Sequence, residues 1–146
     1  MARVTVLGAS GRMGTALIRL IAAGGEHQLV GALGEPGDRS LGRDAGQIAG
    51  RDPLGVLITD DLAAALQGSG GAPGHACHVA IDFTAPVVTE RHALACAEGG
   101  HALVVGTTGL GVAQLAALQT AARRTPVLYA RNMSLGVTVL TELARQ

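Results

Sequence analysis

Short apolar runs rich in β-branched residues alternate with helix-length segments along this chain. Val4-Thr5-Val6-Leu7 opens it as a strand that stops at Gly8. From Arg12 to Ala23, the residues Met13, Leu17, Leu20 and Ile21 recur at helical spacing and form one apolar face, which Gly24-Gly25 ends. Leu29 to Leu33 reads as the second strand, and short apolar runs follow at 56–59, 79–83, 103–105 and 127–130. Helical stretches lie between most of them, at 61–67, 86–98 and 112–124, and a last one spans 135–146. Strands alternating with helices predict a parallel sheet covered on both faces.

Two segments break the rhythm. Residues 34–53 hold five glycines and scattered charges, too irregular for a helix and long for a connection in a compact domain. Residues 68–74 read as a small polar surface loop. With 146 residues the chain suits one domain, 1–146, and 48% hydrophobic residues are enough for a core. All eleven basic residues are Arg, with no Lys, and eleven acids balance them. No basic field gathers nucleic acid or a membrane surface, and one Tyr, one Phe and no Trp offer no base-stacking platform. Two cysteines form no disulfide framework and no apolar run approaches the ~20 residues that span a bilayer, so a cytoplasmic protein is expected.

The strongest local signal is Gly8-Ala9-Ser10-Gly11-Arg12-Met13-Gly14, directly after the first strand and opening the first helix. Glycines there let a pyrophosphate approach the helix N-terminus, where free N–H groups and the dipole favour negative charge. The spacing is G-x-x-G-x-x-G, but strand, glycine turn, helix and strand follow in the order a dinucleotide site requires. The fold class expected is therefore α/β: a Rossmann-like, doubly wound, mostly parallel sheet with helices on both faces. An acid about 20 residues further on would bond the adenosine ribose, and Glu35 fits.

Three further strand ends carry small polar turns: Asp82-Phe83-Thr84, Gly106-Thr107-Thr108-Gly109 and Asn132-Met133-Ser134. Ligands of open parallel sheets sit beyond such carboxyl ends, although helix N-capping alone would explain Thr84 and Ser134. His75, Cys77 and His78 match no closed zinc pattern, and no metal is expected. His92 and His101 read as surface or helix-end residues, and no catalytic residue is assigned.

Together with Gly42-Arg43-Asp44-Ala45-Gly46 and the continuation Leu135-Gly136-Val137, these motifs resemble bacterial dihydrodipicolinate reductase (4-hydroxy-tetrahydrodipicolinate reductase). The resemblance implies an NAD(P)H-dependent oxidoreductase of diaminopimelate and lysine synthesis, in which a nicotinamide cofactor transfers a hydride to a small cyclic substrate. It implies that Gly8, Ala9, Ser10, Gly11, Arg12 and Met13 hold the pyrophosphate. It implies that Gly106, Thr107 and Thr108 line the nicotinamide side, with Ala130, Arg131, Asn132 and Met133 closing that pocket. Where the family has Glu-Arg after the second strand, this chain has Gly34-Glu35, which points to a preference for NADH, with NADPH the alternative because Arg39 and Arg43 lie nearby and could compensate for the carboxylate. The family's His-His-x-x-x-Lys and Ser-Gly-Thr segments are missing, as is the return that finishes its nucleotide domain. The chain is thus expected to be the N-terminal part of a longer, homo-oligomeric enzyme, binding cofactor without turning over substrate. The alternative is a stand-alone redox-sensing or regulatory module that binds NAD(P).

Overall fold

The structure, a computed structural model, describes residues 1–68 and 78–145. The elements run β1 (Ala2–Leu7), α1 (Arg12–Gly24), β2 (His27–Leu33), α2 (Ala45–Ile48), β3 (Ile58–Thr59), α3 (Leu62–Gln67) and β4 (Val79–Asp82). They continue with α4 (Pro86–Gly99), β5 (Ala102–Val105), α5 (Val112–Ala121), β6 (Val127–Tyr129) and α6 (Leu135–Leu143). The strands form one sheet in the order β3-β2-β1-β4-β5-β6, and every pairing is parallel. The chain winds outward from β1 to β3 and then crosses back to β4. A topological switch point therefore lies between β1 and β4.

Alternation along β1 explains the two cores. Val4 and Val6 join Ile18 of α1 and Ala45 and Ala49 around α2 on one face, while Leu7 joins α3, α4 and α5 on the other. On that second face α3 sits close to the sheet. The Thr5 hydroxyl donates to the Ala65 carbonyl at 3.0 Å, and a Cβ at Gly31 would lie 2.0 Å from the same oxygen. The first face is less fully covered: beside α1, a groove of about 360 Å³ is lined by Leu17, Leu20, Ile21, Val79, Ile81 and Val104.

Most expected elements stand within one to three residues of their sequence boundaries, and two depart from expectation for clear reasons. Segment 34–53 contains the one-turn helix α2, because Asp44 organises it. Asp44 Oδ1 accepts the N–H groups of Gly46, Gln47 and Leu54, and Oδ2 accepts that of Gly55 at 2.8 Å. Burial alone would raise the pKa of this carboxyl, but the four backbone donors outweigh it and hold the pKa below the ordinary value. The same segment is pinned to β3 by main chain, with Gly34 N–H donating to Thr59 and Gly42 N–H to Ile58, both at 2.8 Å. The run at 56–59 pairs only at Ile58–Thr59, because Leu57 forms an isolated antiparallel bridge with Asp44.

The expected loop at 68–74, apart from Gly68, lies outside the described residues, as do His75 and Cys77. Among the described residues no helix is long and apolar enough to cross a membrane.

Candidate functional site

The glycine turn is built by close approach. Gly8 has φ +85°, a left-handed conformation that favours glycine, and a Cβ there would lie 2.7 Å from the Phe83 carbonyl oxygen. The Leu33 carbonyl at the end of β2 accepts both the Gly8 N–H (2.9 Å) and the Ala9 N–H (2.8 Å), which ties the turn to the neighbouring strand. A Cβ at Gly14 would sit 2.0 Å from the Gly8 carbonyl oxygen, so α1 packs directly on the turn it follows. Gly11 is the N-cap and supplies no side-chain bond, while Arg12 and Met13 open the first turn. The N–H groups at such positions have no partner within the helix, and no acid in the first turn opposes an anion.

Two cavities flank this turn. One, of about 680 Å³, is lined by Arg12, Met13, Phe83, Thr84, Gly106, Thr107 and Thr108 and by residues 130–134. It gathers the three polar strand ends that the sequence singles out. The other, of about 360 Å³, is lined on its β2 side by Gly8, Ser10, Gly11, Gly34, Glu35 and Asp38, and opposite by residues of α3 and α4. Phe83 and Thr84 border both. Of the residues expected at a cofactor, Arg12, Met13, Gly106, Thr107, Thr108, Ala130, Arg131, Asn132 and Met133 line the first cavity. Gly8, Ser10, Gly11 and Glu35 line the second, whereas Ala9 is fully buried in the core behind the turn.

The wall of the larger cavity rests on a buried polar network. Asp82, at the end of β4, has no solvent exposure. Its Oδ1 accepts the Thr84 hydroxyl (2.5 Å), the Thr107 hydroxyl (2.9 Å) and the Thr84 N–H (3.0 Å). Its Oδ2 lies 2.9 Å from His92 Nδ1. The Thr84 N–H also donates to Thr107 Oγ1 at 2.9 Å, so the ends of β4 and β5 are joined directly. A Cβ at Gly106 would lie 2.1 Å from the Phe83 ring, which packs across the start of the next turn.

Three readings of the sequence change here. His92 is buried in the middle of α4 rather than at a surface or helix end, because it satisfies Asp82 beneath the sheet's edge. His101 does follow the end of α4, but it too is buried. Thr84 is not a cap: Ala85 takes that position ahead of Pro86, and the Thr84 hydroxyl goes to Asp82 instead. Ser134 does cap α6, accepting the Val137 N–H at 3.4 Å. His78 is exposed and within 2.7 Å of the Arg3 guanidinium, and no three potential metal ligands gather among the described residues.

Asp38 is the residue that spacing arguments pass over. Its carboxylate accepts the Ser10 hydroxyl, the Ser40 N–H (2.8 Å) and the Ser40 hydroxyl (2.7 Å). These donors, Ser10 first, hold its pKa below the ordinary value. The signal for it was the sequence Glu35-Pro36-Gly37-Asp38, whose central Pro-Gly favours a tight turn back toward the strand.

A parallel sheet in this strand order, a glycine turn at its switch point and cavities on both sides of that turn define a doubly wound α/β domain of the dinucleotide-binding type. Within that class, residues 2–133 match the family described as dihydrodipicolinate reductase, N-terminus, and the chain belongs to it. The chain is 48% identical over 146 residues to a 4-hydroxy-tetrahydrodipicolinate reductase of Anaeromyxobacter sp. (strain Fw109-5), covering 100% of this chain and 51% of that one. It is 43% identical over 141 residues to the enzyme of that name from Acinetobacter baumannii (strain ACICU), covering 97% of this chain and 48% of the relative. The chain thus spans about half the length of the curated relatives it matches.

Among solved structures, the dipicolinate-bound dihydrodipicolinate reductase from Paenisporosarcina sp. TG-14 superposes with a TM-score of 0.73 at 22% identity, covering 99% of this chain and 52% of that one. A biliverdin reductase from Synechocystis sp. PCC 6803, in complex with biliverdin and NADP+, reaches 0.65 at 18% identity, covering 88% of this chain and 37% of that one. At these identities the likeness is one of fold.

Proposed function

We propose that residues 1–146 form the cofactor-binding domain of a longer reductase that acts on 4-hydroxy-tetrahydrodipicolinate in diaminopimelate and lysine synthesis. The observation that carries this reading is the pair of cavities on either side of one glycine turn at the switch point. An extended dinucleotide needs two concave sites separated by a stretch of backbone that accepts an anion, and the residues present fit that need. Gly8 to Met13 would hold the pyrophosphate through main-chain N–H groups, with Ala9 contributing only backbone shape. Gly106, Thr107 and Thr108 would line the nicotinamide side, and Ala130, Arg131, Asn132 and Met133 would close it. The nicotinamide, when bound, supplies the hydride.

The chain's own part is binding and orientation. Asp82 and His92 hold Thr84 and Thr107 in place, so the ring would meet a wall that does not need to reorganise. The family resemblance implies a lysine proton donor and contacts to the substrate's carboxylates; this chain has no lysine, and in the proposed whole enzyme these groups would come from the further length that the relatives have. The carboxylates at the β2 end of the cleft favour NADH over NADPH. The whole enzyme is a cytoplasmic homo-oligomer whose partners are this cofactor and its small substrate, with neither nucleic acid nor membrane.

A stand-alone regulatory module would be expected to cover the β6 end of its sheet. Leu128 of β6 is 59% exposed, and Val139, Leu140 and Leu143 of α6 face solvent, which supports the half-enzyme reading. Calorimetric titration of the chain with NADH and NADPH at low salt tests the proposal. Binding of either cofactor supports it, and binding of neither overturns it.

A further inference from the structure

The turn after β2 brings a carboxylate into the cleft at a position that the spacing from the glycine motif does not mark. Asp38 N–H donates to the Glu35 carbonyl at 3.0 Å, closing a four-residue turn in which Gly37 has φ +82°. Pro at the second position and a positive-φ Gly at the third are the requirements of a type II turn. The turn sends Asp38 back toward the glycine motif, where its Oδ2 accepts the Ser10 hydroxyl while Oδ1 is held by Ser40. Gly34, the first residue beyond β2, offers no side chain, and a Cβ there would meet Ile58 Cγ2 at 2.9 Å. Glu35, Asp38 and Asp60 all line the smaller cavity, but among the hydrogen bonds described only Asp38 is bonded to the glycine motif.

We propose that Asp38, rather than Glu35, receives the adenosine ribose of the cofactor and sets the discrimination against a 2′-phosphate. The inference rests on the reading of the cleft as a dinucleotide site and deepens it. A carboxylate offers about four lone-pair positions. Ser10 and Ser40 fill three of them and leave one on Oδ2. A ribose hydroxyl can donate into that position. A 2′-phosphate dianion has no proton to give and brings like charge against a carboxylate that is fixed by its neighbours and cannot swing away. The Ser10 and Ser40 donors also keep the group ionised across the neutral range. Because Ser10 belongs to the glycine motif, the same bond fixes the ribose end of the cleft relative to its pyrophosphate end.

The test is calorimetric titration of the whole chain with NADH and with NADPH, for wild type, Asp38→Asn and Glu35→Gln. The ratio of the two affinities is the quantity read, because general damage to the fold weakens both cofactors alike. Wild type is expected to favour NADH by about tenfold or more, Asp38→Asn to bring the ratio near one, and Glu35→Gln to change it by less than about twofold. A ratio unchanged in Asp38→Asn, or the shift arising in Glu35→Gln instead, overturns the assignment. So does a wild type that prefers NADPH. Wild type binding neither cofactor overturns the dinucleotide reading itself, and this inference with it. If Asp38→Asn does not fold, Asp38→Ser is read in its place, and a ratio of affinities unchanged from wild type overturns the assignment.

Discussion

On the β4–β5 side of the cleft, one buried carboxyl reaches across three elements, whereas on the β2 side carboxylates work largely within one loop. Asp82 draws together the turns after β4 and β5 and the middle of α4, through Thr84, Thr107 and His92. Asp44 spends all of its described hydrogen bonds on N–H groups between residues 46 and 55, and Asp38 holds Ser40 and reaches out only to Ser10. The first wall therefore depends on the register of the whole sheet. The second depends on the local path of the chain, and it touches the rest of the molecule at a few defined points.

Substitutions can break this contrast from either side. Asp82→Ala leaves the Thr107 hydroxyl and a His92 ring nitrogen buried without their partner and frees the half-buried Thr84 hydroxyl, and about 3 kcal/mol of stability is expected to go, read by urea unfolding. The loss should be global, because the elements it unties carry the main core. Asp44→Ala removes a helix cap and the acceptor of two further backbone N–H groups, for an expected loss of about 2 kcal/mol. Here amide exchange should quicken most between residues 44 and 58, with the centre of the sheet changing least.

Acid sharpens the same comparison. Asp44 has a folded pKa below its unfolded value, so its contribution is present above the unfolded pKa of about 3.9 and fades as pH falls through the folded one. The stability gap between wild type and Asp44→Asn should accordingly be largest near neutrality and close in the acid range below about pH 4. A gap that widens in acid would contradict the hydrogen-bonded role. The smallest effect belongs to neither wall. Ser134→Ala removes a long, exposed cap contact at α6 and is expected to cost about 0.5 kcal/mol, seen as faster exchange at the start of that helix alone.

The alternation of strands and helices and the glycine turn could be read from sequence because both are local. Val4, Val6 and Leu7 announce a strand wherever the chain goes, and a glycine run between strand and helix signals its own purpose. The Asp82–His92 pair could not be read in that way. The buried face of α4 consists of Thr89, His92, Ala93, Cys96 and Ala97, a helical spacing in which two of the five residues are polar. A search for apolar periodicity passes over such a face, and its partner becomes visible only once β4 and α4 are packed. The helix at Ala45–Ile48 was hidden for a related reason. Its stability comes from a capping carboxylate and a neighbouring strand, while its own sequence, Ala-Gly-Gln-Ile, has little helical character. Asp38 lay between these cases: its turn was written in Pro36-Gly37, but its meeting with Ser10 required the fold.

The main-chain pins at Gly34 and Gly42 bear on how such a domain changes over generations. Both ends of the intervening segment are fastened to β3 through backbone N–H and carbonyl groups, which of all replacements only proline would remove outright. What lies between them can therefore be exchanged as a cassette, its charge, length and turn type altered, while the glycine turn and the sheet keep their places. If Asp38 reads the ribose as proposed, such an exchange would change the cofactor preference and leave the architecture as it is.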